Sequence, residues 1–112
     1  MTDTIFVTDQ LPEITQRIVD LIQPEKIILF GSYARGDYDQ DSDIDLLVVV
    51  EGISSTRVES NRIRQALRGL LAPVDVIVAT SDQLERYKDS IGMIYRSVLR
   101  EGKVIYERST IA

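Results

Sequence analysis

At 112 residues the chain has room for a single domain, and its 44% hydrophobic and 28% charged content is that of an ordinary globular protein. Eighteen acidic against thirteen basic residues give a formal charge of -5, which is no footprint for gripping a phosphate backbone, so nucleic acid is not an expected partner. Histidine and cysteine are both absent; this excludes thiolate or imidazole zinc sites, disulfides, and Ser-His-Asp or Cys-His catalysis, and leaves any metal to oxygen ligands, hence Mg²⁺ or Mn²⁺.

Met1 to Gln10 carries acids and no basic stretch followed by an apolar one, so a signal peptide is not expected. The longest apolar run, Leu46 to Val50, is too short to span a bilayer. The expected setting is the cytoplasm, with no membrane partner.

In chain order, Pro12 suits the first position of a helix in which Ile14, Ile18, Leu21 and Ile22 recur at helical spacing, and Pro24 ends it. Lys26 to Phe30 reads as a buried strand. GSYARGDYDQDS is a turn-rich loop with room for one helical turn around Tyr33–Arg35. Asp43 to Val50 is the clearest strand. Ser54 or Ser55 caps a helix running to about Leu71, with Ile63, Ala66, Leu67, Leu70 and Leu71 on one face and Arg62, Arg64 and Arg68 on a solvated one. Pro73 breaks that helix, and Val74 to Ala79 makes a third strand. Ser81 or Asp82 caps helical structure reaching Arg100, interrupted near Lys88–Ser90, with Gly102 as the stop. Lys103 to Tyr106 adds an edge strand. The alternation predicts an α/β (α+β) domain spanning 1–112, a small mixed sheet with helices packed against it.

Chemistry concentrates in two places. Asp43 and Asp45, two apart in a strand, project from the same face about 6.7 Å apart at Cα, while Ile44 and Leu46 point into a core. Two like charges at the head of an apolar strand call for a compensating cation. Asp75, within VDVIV, is a third acid at the matching place in the next strand, and pairing of the two strands brings all three to one cleft. The complementary half is Gly31-Ser32, directly after a strand: glycine admits a phosphate close to the backbone, and the serine hydroxyl can donate to it. Arg35 either neutralises a leaving pyrophosphate or pairs structurally with Asp37 or Asp41. Metal-bound acids opposite phosphate donors describe a metal–triphosphate site. Tyr33 and Tyr38 flank the loop, and packing is favoured over contact with a nucleobase.

The run GSYARGDYDQDSDIDLLVVV resembles the signature of the DNA polymerase β-like nucleotidyltransferase superfamily, and the short chain with its later VDVIV strand and EGKVIYE segment resembles the minimal nucleotidyltransferase (MNT) branch. The resemblance implies two Mg²⁺ ions held by Asp43, Asp45 and Asp75, with Asp75 helping to remove the proton of the attacking hydroxyl, and Gly31 and Ser32 holding the β- and γ-phosphates of ATP. It further implies an antitoxin that transfers AMP to a tyrosine of a HEPN-type toxin. The rivals are a contact-only antitoxin, or nucleotidyl transfer to a small molecule or RNA. Missing acceptor architecture weighs against the small molecule, and the acidic balance against RNA.

Overall fold

The computed structural model describes residues 10–70, 73–87 and 94–108. Helix α1 (Leu11–Ile22) carries proline in its first turn and ends where Gln23 turns left-handed at φ 49°, its N–H donating to the Val19 carbonyl at 3.0 Å. Ile14 and Ile18 are fully buried, each contributing about 1.5–3 kcal/mol. Strand β1 (Lys26–Phe30) follows, then one short turn of helix, α2 (Ser32–Arg35). Strand β2 (Ile44–Val49) starts one residue later than the sequence suggests, leaving Asp43 just ahead of it.

Helix α3 (Thr56–Ala66) opens on Ser55, whose hydroxyl accepts from the Val58 N–H at 3.2 Å. It ends well before the expected Leu71, and Gly69 at φ 94° turns the chain ahead of Pro73. Arg17 of α1 donates to the carbonyls of Ala66 and Arg68 at 3.0 and 3.2 Å, serving the unpaired end of α3 and tying the two helices together. Ile63 and Leu67 are buried as expected, Arg62, Arg64 and Arg68 are exposed, and Leu71 lies outside the described residues.

Strand β3 (Val74–Ala79) precedes α4 (Ser81–Tyr87) and α5 (Ile94–Glu101). The cap of α4 is Thr80, not Ser81 or Asp82. Its hydroxyl accepts from the Gln83 N–H at 3.1 Å while the Gln83 side chain accepts from the Thr80 N–H at 3.0 Å. That reciprocal pair satisfies two free donors at once. The expected interruption near Lys88–Ser90 lies outside the described residues. Strand β4 (Lys103–Glu107) closes the chain order.

The sheet has four strands in the order β3-β2-β1-β4. β1 pairs antiparallel with β2 and β4, and β2 pairs parallel with β3. A parallel neighbour needs a crossover, which α3 supplies. Alternation along the strands then builds two cores. Ile27, Leu29, Ile44, Leu46, Val48, Val76 and Val78 pack on one face with Ile14 and Ile18 of α1, Ile63 of α3, and Tyr33 and Ala34 of α2. Ile28, Phe30, Leu47, Val49 and Ala79 face the other way, under Val98 of α5 and Leu84 of α4. Asp45 and Asp75, alternating with Leu46 and Val76, fall on this second face. Among the described residues no helix is long and apolar enough to cross a membrane.

Candidate active site

Strand register does most of the placement. Phe30 faces Asp45 across the β1–β2 ladder, and Asp45 is the direct partner of Asp75 across the β2–β3 ladder. Register partners project from the same face of a sheet, with strands about 4.8 Å apart. The two acids therefore stand side by side, and Asp43 joins them from the exposed residue before β2. Asp45 is half-buried, and its carboxyl is held above the usual carboxylate range. Burial is the main cause, repulsion from Asp75 and then Asp43 adds to it, and the Arg35 cation opposes. A concentration of negative charge at a partly desolvated strand end favours a bound cation.

The donor set is hard oxygen, which suits Mg²⁺. Among the described residues no three acids are arranged to hold one ion by themselves. Mg²⁺ at nucleotide sites uses one or two carboxylates, with phosphate oxygens and water completing its shell. Asp43, Asp45 and Asp75 fit that shared role and not a dedicated cage.

Gly31 makes the approach to these acids. It sits at φ 76°, ψ -157°, a region open essentially to glycine alone. A Cβ there would overlap Oδ2 of Asp45 and lie 3.2 Å from its Cγ. The glycine is therefore needed twice, for its backbone conformation and for the space the carboxylate occupies. Its carbonyl accepts from the N–H groups of Ala34 and Arg35, both at 3.1 Å, starting α2. Ser32 is the half-buried first residue of that turn.

Arg35 closes α2 and is committed to two carboxylates. Its Nε donates to Asp37 Oδ2 at 3.2 Å and its Nη1 to Glu101 Oε1 at 3.5 Å. The hydrogen bond to Asp37 is the main reason its pKa is raised. Of the two structural partners the sequence offers, Asp37 is the one used, and Asp41 instead donates its N–H to Asp39 Oδ1 at 2.8 Å. Ser42 Oγ accepts from the Asp39 N–H at 2.9 Å, so the loop into β2 is pinned by its own side chains.

Tyr33 is buried in the first core and stacks on Tyr38, ring centroids 4.2 Å apart and planes 13° from parallel. Its phenol is pushed up by burial, then by Tyr38, Asp39 and Asp43. Packing thus accounts for Tyr33 and one face of Tyr38. Sequence reasoning missed Glu101, which reaches Arg35 from 66 residues away, a separation no local pattern can signal.

A groove of about 400 Å³, lined by Lys26, Ile28, Val49, Leu84 and Leu99 among others, opens on the same sheet face. It lies at the opposite end of the strands. Val49 is about 13 Å along β2 from Asp45, with the fully buried Leu47 between them. The groove is not part of the acid cleft.

A glycine turn laid against in-register acids, at one end of a small mixed sheet, is the layout of an enzyme that handles a nucleoside triphosphate with metal ions. The chain belongs to the nucleotidyltransferase domain family, whose model matches residues 9–105, and with it to the nucleotidyltransferase class of enzymes. A candidate protein adenylyltransferase of Methanocaldococcus jannaschii is 39% identical over 84 residues, covering 73% of this chain and 78% of that protein. The crystal structure of a candidate nucleotidyltransferase from Sulfolobus solfataricus superposes with a TM-score of 0.64 at 26% identity, over 91% of this chain and 81% of that one. A chain from the complex of a tri-AMPylated HEPN toxin with its MNT antitoxin, from Shewanella oneidensis, superposes at 0.61 over 92% of this chain and 74% of that one. At 18% identity that last likeness is one of fold alone.

Proposed function

We propose that this chain transfers AMP from ATP, with Mg²⁺, to a tyrosine of a HEPN-type toxin, and thereby acts as its antitoxin. The observation that carries the proposal is the in-register pairing of Asp45 with Asp75 beside Gly31. Relatives named as protein adenylyltransferases support the transfer to protein, and the fold shared with an MNT–HEPN complex supports the partner.

Asp43, Asp45 and Asp75 would hold the ions, which when bound neutralise the triphosphate and make the acceptor hydroxyl more acidic. The chain's own residues then have separable tasks. Gly31 leaves the backbone open to the β- and γ-phosphates, and Ser32 donates its hydroxyl to them. Arg35 faces charge developing on the leaving group. In the step itself the acceptor oxygen bonds to the α-phosphorus and the bond from that phosphorus to the bridging oxygen breaks. Pyrophosphate leaves with the electron pair. Asp75, exposed at the edge of the sheet, takes the hydroxyl proton and passes it to solvent.

The test combines the chain, Mg²⁺, α-labelled ATP and a candidate HEPN-type partner, with label on the partner as the readout. Absence of label with the wild-type chain, or equal label with Asp43→Asn, rejects the proposal.

A further inference from the structure

The corner joining α5 to β4 is clamped onto the sheet. The Gly102 N–H donates to the Val98 carbonyl at 2.7 Å. A Cβ at Gly102 would overlap that same carbonyl oxygen and press on Cγ2 of Ile28 in β1. Only a residue without a side chain brings the corner so close, and the residue before it, Glu101, is thereby set against α2. There its Oε1 lies 3.5 Å from Arg35 Nη1, while Asp37 Oδ2 lies 3.2 Å from Nε.

A guanidinium carries five N–H donors in a rigid planar fork. Asp37 alone, at one nitrogen, leaves the fork free to swing about that contact. A second carboxylate on Nη1 fixes its plane. The side chain is 45% exposed; the Arg35 backbone N–H donates to the Gly31 carbonyl at 3.1 Å, and Gly31 lies against the Asp45 carboxylate, so the fork stands at the rim of the acid cleft. We infer that Glu101 is a positioning residue: it fixes the plane of Arg35 so that the Nη2 side of the fork is presented to the triphosphate. The inference rests on the nucleotide site proposed above and adds to it a residue from the far end of the chain.

The measurement is the dissociation constant for Mg²⁺ with a non-hydrolysable ATP analogue, by calorimetry. The proteins are wild type, Glu101→Gln, Arg35→Ala and the double variant. Exposed ion pairs contribute modestly, so Glu101→Gln is expected to weaken binding about three- to fivefold. In the Arg35→Ala background the same change should do nothing further, because residues acting through one contact are not additive. Melting temperatures should stay close to wild type, which separates positioning from a folding defect. Glu101→Gln binding as tightly as wild type, or more tightly because the carboxylate competes with phosphate, overturns the inference. So does an equal loss in the Arg35→Ala background. If the wild-type chain binds no Mg²⁺–nucleotide, the site itself falls and the inference with it; intact wild-type binding that ignores Glu101 removes only the positioning role.

Discussion

Replacing Gly31 with alanine tests the geometry of the cleft most directly. The native φ of 76° and ψ of -157° cost a side-chain-bearing residue about 1–3 kcal/mol. For a domain near 100 residues, each kcal/mol lowers Tm by about 4–8 °C, so the variant should melt roughly 5–20 °C lower. A stability of about 5–15 kcal/mol leaves it folded at room temperature. The new Cβ also overlaps Asp45 Oδ2, and the cheapest relief is to turn that carboxylate away. A displacement near 1 Å at a reacting centre costs about 100-fold in rate.

Gly36→Ala is the control. It too has positive φ, at 88°, but nothing lies within 4 Å of the added carbon. Its expected cost is about 1–2 kcal/mol of stability with nucleotidyl transfer unchanged. Thermal melting and initial-rate assays on both variants separate backbone strain from displacement of the acid. Wild-type turnover in Gly31→Ala, or activity lost by both variants in proportion to their Tm, would refute displacement of the Asp45 carboxylate.

Asp45→Asn is expected to raise Tm in EDTA at neutral pH while abolishing transfer. A carboxyl whose folded pKa is raised costs stability once ionised, above its folded value, and costs nothing below its unfolded one. The gain should therefore disappear as pH falls through the carboxylate range, and a gain that persists in acid would contradict the cause given for the shift. Saturating Mg²⁺ with a non-hydrolysable ATP analogue, at 100 times its Kd, should stabilise the wild-type chain by about 2.7 kcal/mol and the Asn variant far less; equal shifts would remove Asp45 from the ligand set. Tyr38→Ala should lose the stacking on Tyr33, about 0.5–1.5 kcal/mol, read by chemical denaturation, and no loss would mean the ring pair is incidental.

The strands were legible because their signals are local and undiluted. KIILF and VDVIVA match β1 and β3 to the residue, each a branched apolar run stopped by turn residues or proline. Period two puts Asp45 and Asp75 on the faces opposite Leu46 and Val76, but that they stand side by side depends on the β2–β3 register, which no local pattern carries. What was not legible depended on competition or on distance. Helix α3 has apolar residues to Leu71, but its last helical residue is Ala66, and the chain turns left-handed at Gly69 beyond it. Thr80 outcompetes Ser81 and Asp82 as a cap because Gln83 returns the hydrogen bond. The partnership of Arg35 with Glu101 exists only once α5 has docked.

The parallel β2–β3 pairing has a chiral consequence. Strand–helix–strand units of this kind are right-handed in about 98% of proteins, so the hand of one connection decides which side of the sheet its helix must cover. Here α3 blankets the side holding Ile44 and Leu46. The mirror-image path would lay that helix across Asp45 and Asp75, and no triphosphate could reach them. Access to the carboxylates is thus granted by the stereochemistry of L-amino acids, well before any residue of the cleft is chosen.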